Sequence, residues 1–250
     1  KNTSILIQNG KITSIGKGEA DNLINCEGKM VTCGFIDSHT HPVFYNKRDK
    51  EYAMRLAGLS YNQIAEKGGG IISSLEGVRK SSKSQLIEKV EERMNRFIAN
   101  GTTTIEAKSG YGLNTESELK SLDVIGEVNK SHDIDMVPTF MGAHAFPKEF
   151  RSSRADYIKT ICDEMIPAVA NQGIAIFNDV FCEDGYFSVN ESRLILETGK
   201  KYGLKARLHA DEFSNSGGAA LASEVNAFSA DHLMAVSDEG ISKLSKSNVV

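Results

Sequence analysis

Two histidines separated by one residue, His39 and His41, close the stretch Asp37-Ser38-His39-Thr40-His41 directly after the apolar run Met30-Val31-Thr32-Cys33-Gly34-Phe35-Ile36. Side chains at i and i+2 leave a strand on one face. Both imidazoles can therefore reach one metal ion. A neutral imidazole suits zinc or iron, and a catalytic site of this kind takes protein ligands from several segments while leaving one position for water. Taken alone, His-x-His is as readily a surface or core pair as a metal site. The placement repeats, however. His209 ends Gly203-Leu204-Lys205-Ala206-Arg207-Leu208-His209, His232 ends Ala227-Phe228-Ser229-Ala230-Asp231-His232, and His144 ends Met136-Val137-Pro138-Thr139-Phe140-Met141-Gly142-Ala143-His144. Polar residues gathered at the carboxyl ends of several parallel strands are where a βα barrel keeps its chemistry. Wet strand ends explain one or two such histidines but poorly explain four instances.

The elements that must position these histidines alternate along the chain. Ser4-Ile5-Leu6-Ile7-Gln8, the turn Asn9-Gly10 and Lys11-Ile12-Thr13-Ser14-Ile15 read as a β-hairpin with a type I′ turn. A lone hairpin is marginally stable, so its strands need partners from elsewhere. Leu86, Ile87, Val90, Met94, Phe97 and Ile98 form a helical stripe stopped by Asn100-Gly101 before the β-branched run Thr102-Thr103-Thr104-Ile105. Thr115-x-x-Glu118 and Ser188-x-x-Glu191 fit capping boxes that open further helices. Strands are expected near residues 31–37, 102–107, 135–141, 174–181, 204–209, 227–231 and 248–250. Repeated strand-then-helix units imply an α/β fold with a parallel sheet, here a barrel. A doubly wound open sheet is the runner-up, but no phosphate-binding G-x-G-x-x-G turn is present. About seven strands are counted where a closed barrel needs eight, so the expectation is a fragment or a truncated chain. The division expected is residues 1–33 as a small β domain and residues 34–250 as the barrel.

Composition bounds the function. The chain has 250 residues, 40% hydrophobic and 25% charged, which describes one sizeable globular domain with at most a small appendage. A formal charge of -4 with scattered Lys and Arg leaves no basic stripe to neutralise phosphates, so a small-molecule substrate is expected and nucleic acid is not. No apolar stretch approaches the roughly 18–20 residues of a membrane span, and the start Lys1-Asn2-Thr3-Ser4 lacks a signal-peptide profile. The expected location is the cytoplasm, without a membrane partner. Cys26, Cys33, Cys162 and Cys182 contain no C-x-x-C pair, so zinc-ribbon and redox readings fail, and buried thiols in a reducing compartment are expected.

The segments Gly34-Phe35-Ile36-Asp37-Ser38-His39-Thr40-His41, Lys108-Ser109-Gly110-Tyr111-Gly112-Leu113, Pro138-Thr139-Phe140-Met141-Gly142-Ala143-His144, Leu208-His209-Ala210-Asp211-Glu212-Phe213 and Ser229-Ala230-Asp231-His232-Leu233 together carry a resemblance. Through them the chain resembles, along its whole length, the imidazolonepropionase family of the amidohydrolase superfamily, which works in histidine degradation. The first segment marks the superfamily broadly; the second and third are more specific. The resemblance implies a distorted TIM-like (β/α)8 barrel plus a small β-sandwich built from both chain ends, with residues 1–33 as the amino-terminal part of the sandwich. It implies that His39, His41 and His209 bind one zinc or iron ion, completed in the family by an aspartate at the end of an eighth strand that this chain does not reach. Binuclear relatives carry a bridging lysine at the end of the fourth strand, where this chain has Asn178-Asp179-Val180-Phe181-Cys182-Glu183, so a single metal is expected. A homodimer is also implied.

The reaction implied is hydrolysis of the cyclic amide 4-imidazolone-5-propanoate to N-formimidoyl-L-glutamate. A metal with an open position lowers the pKa of bound water from 15.7 to about 7, which supplies hydroxide at neutral pH. Glu212, three residues beyond His209, is placed to orient that water or carry its proton to the leaving nitrogen; its bland alternative is a helix cap. His232 is placed to polarise the carbonyl or stabilise the oxyanion; its alternative is a buried supporting histidine. The resemblance assigns Arg48, Tyr111, His144 and Glu212 to the substrate, with Tyr61 a weaker candidate. The planar fork of Arg48 suits a propionate carboxylate, and otherwise Arg48 is a surface arginine. Gly68-Gly69-Gly70 reads equally as a lid hinge or a flexible connection. Two other functions fit the residues: an aminohydrolase releasing ammonia from a heterocycle, and a non-catalytic fragment.

Overall fold

The computed structural model describes residues 3–16 and 18–250. Lys1 and Asn2, read above as part of the chain start, and residue 17 within the expected small domain lie outside the described residues. By contacts the chain divides into two units, one ending at Gly34 and the other spanning Phe35–Val250.

In the first unit, β1 (Ser4–Gln8) pairs antiparallel with β2 (Lys11–Gly16). Asn9 and Gly10 both take positive φ, +52° and +73°, which matches the type I′ turn and the right-handed twist of the flanking strands. Cys26 and Cys33 are exposed, whereas Cys162 and Cys182 are buried, so the buried-thiol expectation holds for only two of the four. The reason lies in their surroundings: residues 29–34 form no regular element that could cover the first pair.

The second unit is a parallel sheet of six strands in sequential order. It runs β3 (Phe35–Thr40), β4 (Thr102–Lys108), β5 (Asp135–Ala143), β6 (Phe177–Cys182), β7 (Lys205–Ala210) and β8 (Ser229–His232). A doubly wound sheet reverses strand order at a switch point; this sheet never does, which removes the runner-up fold. The sheet also curls. His39 at the end of β3 hydrogen-bonds Asp231 at the end of β8, 2.7 Å away, so the first and sixth strands meet at their carboxyl ends in a nearly closed barrel. β3 starts at Phe35, four residues later than expected, because sheet pairing opens with the Phe35 N–H donating to the Gly101 carbonyl. Residues 248–250 form no full strand, yet the Ala230 N–H donates to the Val250 carbonyl and the Val250 N–H to the Phe228 carbonyl. That is the start of parallel pairing on β8.

Helices cover the outside. Between β3 and β4 lie α1 (Asp49–Leu56), α2 (Tyr61–Glu66), α3 (Ile71–Lys80) and α4 (Lys83–Ala99). Then follow α5 (Thr115–Ser131), α6 (Arg154–Thr160), a π-helical turn Ile161–Met165, α7 (Ile166–Gln172), α8 (Val189–Lys201), α9 (Gly218–Glu224) and α10 (Asp238–Leu244). On α4 the predicted stripe buries Leu86, Val90 and Met94, while Ile98 near its end stays exposed. Ser188 and Glu191 form the expected capping box of α8. Thr115 and Glu118 do not: Asn114 caps α5 through Ser117, and Glu118 turns inward, fully buried. The core joins Ile105, Val124, Ile125, Phe140, Leu196 and Leu208 between sheet and helices.

Candidate metal and substrate site

Every strand of the sheet delivers polar groups at its carboxyl end. β3 supplies His39 and is followed by His41; β4 ends in Lys108, β5 leads to His144, β6 to Glu183, β7 carries His209, and β8 ends in Asp231 and His232. One ring nitrogen from each of His39, His41 and His209 lies within 4.8 Å of the other two. His41 Nε2 and His209 Nε2 are 3.3 Å apart. Two nitrogens bound at 2.0–2.1 Å to one tetrahedral ion stand about 3.3 Å apart, so this pair already has the spacing an ion demands. The remaining ring nitrogens support the same reading. His39 Nδ1 faces Asp231 Oδ2 at 2.7 Å and His209 Nδ1 faces Asp179 Oδ1 at 3.0 Å. A carboxylate on Nδ1 holds the proton there and leaves Nε2 as the free lone pair, the usual outer support of a metal-bound histidine. His41 Nδ1 is buried without a hydrogen-bond partner.

Burial keeps the His41 and His209 rings neutral. It lowers the His209 pKa to about 4, against the opposing pull of Asp179. It also holds His41 well below its ordinary value, helped by repulsion from His144 and His209. A neutral imidazole is the form that binds metal.

Sequence reasoning missed the layer beneath. Lys108 is fully buried and its Nζ donates to Asp179 at 2.6 Å, to Glu106 at 2.9 Å and to Asp231 at 3.3 Å. One ammonium thus joins both carboxylates that orient histidines. Burial opposes ionisation of Asp179, but Lys108 and His209 prevail and hold its carboxyl well below the usual range. Arg207 adds a second cation, 3.3 Å from Asp231. A signal was available: charged residues inside otherwise apolar strands, Lys108 and Glu106 on β4 and Asp179 on β6, demand buried partners.

Around this core sit the remaining candidates. His232 packs edge-on to His39 with centroids 4.8 Å apart, and its Nε2 lies 3.6 Å from Glu212 Oε2. Its backbone is in the left-handed region at φ +75°, a conformation that costs energy in a non-glycine residue and clusters at working sites. Burial, reinforced by Glu183, raises the Glu212 pKa. The capping alternative for Glu212 has no counterpart among the described residues: Gly217 is the N-cap of α9, and buried Asp211 accepts the Gly218 and Ala219 N–H groups.

His144 stacks on His41, rings 4.6 Å apart and nearly parallel, and Tyr111 lies 5.3 Å from His144. Burial lowers the His144 pKa to about 3. Tyr61 stacks on Phe213 at 5.2 Å. Burial raises the pKa of both Tyr61 and Tyr111, and the positive charge of Arg48 is near enough to both to oppose it. Arg48 is half-buried rather than free, paired through Nε with Glu51 at 3.3 Å. Glu51 also accepts the Gly70 N–H and the Ser73 hydroxyl. That ties the Gly68–Gly70 turn to Arg48, so the turn is a hydrogen-bonded connection between α2 and α3.

No helix among the described residues is long and apolar enough to cross a membrane. No protein-family model matches the chain. Two curated relatives are the imidazolonepropionases of Geobacillus sp. (strain WCH70), 44% identical over 261 residues and 100% of this chain, and of Treponema denticola, 45% identical over 254 residues and 98% of this chain. The chain spans 62% of the length of each. Among solved structures, 5-methylcytosine deaminase from Klebsiella pneumoniae matches with a TM-score of 0.69 at 12% identity, covering 99% of this chain and 61% of that one. Guanine deaminase from C. acetobutylicum matches with a TM-score of 0.58 at 16% identity, covering 100% of this chain and 61% of that one. At such identities these two speak for the fold alone. Along its whole length the chain is therefore similar in sequence to the imidazolonepropionases.

Proposed function

We propose that the protein hydrolyses the cyclic amide of 4-imidazolone-5-propanoate to N-formimidoyl-L-glutamate, with His39, His41 and His209 holding one zinc or iron ion. The observation that carries this is the 3.3 Å approach of His41 Nε2 to His209 Nε2, with the Nδ1 atoms of His39 and His209 each committed to a carboxylate. An ion held there would polarise a water so that it ionises near neutral pH. Glu212 is the proton carrier in this reading: its raised pKa suits it to take a proton from the attacking water and pass it to the ring nitrogen as the carbon–nitrogen bond breaks. The neutral ring of His232 donates to the amide oxygen as negative charge develops there. Arg48 receives the propionate, and Tyr111, His144 and Tyr61 wall the ring. Residues 1–33 serve as the amino-terminal part of the small β-sandwich, residues 34–250 as the hydrolase barrel, and the working unit is a homodimer. The exposed, unpaired Cys26 and Cys33 suit a reducing cytoplasm.

The test is turnover of 4-imidazolone-5-propanoate by the metal-loaded protein, read as formation of N-formimidoyl-L-glutamate. Metal analysis of His39→Ala and His209→Ala accompanies it. Loss of the ion in both variants is expected. Ammonia release without the ring-opened product, or full metal retention in both variants, would overturn the reading.

A further inference from the structure

The turn that carries Tyr111 is wound around a buried anion supplied by the chain itself. Glu118, in the first turn of α5, is fully buried. Its Oε1 accepts the N–H groups of Gly112 at 2.8 Å and Leu113 at 2.9 Å, and its Oε2 accepts that of Gly110 at 2.9 Å. Successive peptide N–H groups turned toward one point form an anion-binding nest. Here the carboxylate fills it. The carbonyl side of the same turn is held by Arg79 of α3, whose guanidinium donates to Gly112 O at 2.7 Å and to Leu113 O at 3.2 Å.

The two glycines are required by this winding. Gly110 adopts φ +101°, and a Cβ on it would stand 2.9 Å from His144 Nδ1; a Cβ on Gly112 would meet Ser117 Cβ at 2.6 Å. The close approach at Gly110 has a use, because its carbonyl accepts the His144 Nδ1–H at 2.9 Å. One carboxylate therefore sets two groups. It fixes the backbone on either side of Tyr111, and through the Gly110 carbonyl it fixes the ring and tautomer of His144.

We propose that Glu118 is a positioning residue for substrate binding, holding Tyr111 and His144 in place through the 110–113 turn without touching the substrate. This rests on Tyr111 and His144 lining the substrate pocket as proposed above. The Glu118 carboxylate hydrogen-bonds the 110–113 turn and none of the metal-ligand candidates, so its removal should act on binding rather than on metal content or the chemical step.

The test is Glu118→Gln in the metal-loaded protein. A neutral amide keeps the shape but presents an NH2 group to backbone N–H donors, so the nest loses at least one charge-assisted bond. Amide exchange at Gly112 and Leu113 should quicken at least tenfold. KM for 4-imidazolone-5-propanoate should rise about tenfold, with kcat within about twofold and metal content unchanged. Glu118→Ala gives a second arm that a purely structural role would not predict. Acetate at tens of millimolar should refill the nest and bring KM back toward wild type. Unchanged exchange, unchanged KM, or a folded Ala variant that acetate does not rescue would overturn the proposal. A wild type inactive on this substrate would instead overturn the reaction reading, and the proposal with it.

Discussion

Asp179→Asn tests whether the buried charges beneath the histidines organise the metal site. Asp179 accepts three bonds in the structure, from Lys108 Nζ at 2.6 Å, His209 Nδ1 at 3.0 Å and His209 N at 3.2 Å. Asparagine keeps one acceptor oxygen but turns an NH2 group toward one of these donors. It therefore satisfies either Lys108 or His209, not both. Breaking a buried ion pair by removing one partner costs about 3–5 kcal/mol, although Lys108 keeps Glu106 and Asp231, which points to the lower end, about 3 kcal/mol. That is a large part of a typical folding free energy of 5–15 kcal/mol. For the metal, losing the carboxylate behind a ligating imidazole lowers affinity about 10–100-fold, or about 1.4–2.8 kcal/mol. Urea unfolding of the metal-free protein reads the first quantity and competition with a chelator such as dipicolinate reads the second. If stability falls while metal affinity stays within about twofold of wild type, Asp179 is only a counter-charge for Lys108. The argument that it orients His209 is then wrong.

Arg48→Ala should lower kcat/KM by about one to two orders of magnitude while metal content is unchanged, because charge-assisted bonds to a carboxylate contribute about 1.5–3 kcal/mol; unaltered kinetics would return Arg48 to its ion pair with Glu51. Burial pushes the Cys182 thiol up to about 11, so at pH 8 only about one molecule in a thousand carries the thiolate and alkylation by iodoacetamide should be far slower there than at exposed Cys26. The same shift has a stability consequence. Between the ordinary thiol value of 9.0 and about 11 the unfolded chain has released this proton and the folded chain has not, so folding stability should fall as pH rises through that window. A Cys182→Ala variant whose pH dependence matched wild type there would contradict the assignment.

The strand-terminal histidines were legible in the chain because their signal is local: an apolar β run ending in imidazole repeats at His39, His144, His209 and His232, and the 2-residue period of a strand aims His39 and His41 together. The hairpin turn at Asn9-Gly10 and the α8 capping box were legible for the same reason, since each is decided within four residues. The positions of Asp179, Lys108 and Asp231 were visible as charges in apolar strands, but their partners lie on three different strands of one sheet. Only the curl of that sheet brings them within hydrogen-bond reach. Glu118 marks the limit most sharply. Its spacing from Thr115 satisfies a capping pattern, yet Asn114 already caps the helix. A buried carboxylate gains more from three peptide N–H groups aimed at it than from one N-cap contact at the surface, and those three groups converge only when the 110–113 turn winds back over the start of α5. Residue types and local period determined which side chains could do chemistry; the curl of the sheet decided which of them meet, because the charge and hydrogen-bond energies involved fall off within a few ångströms.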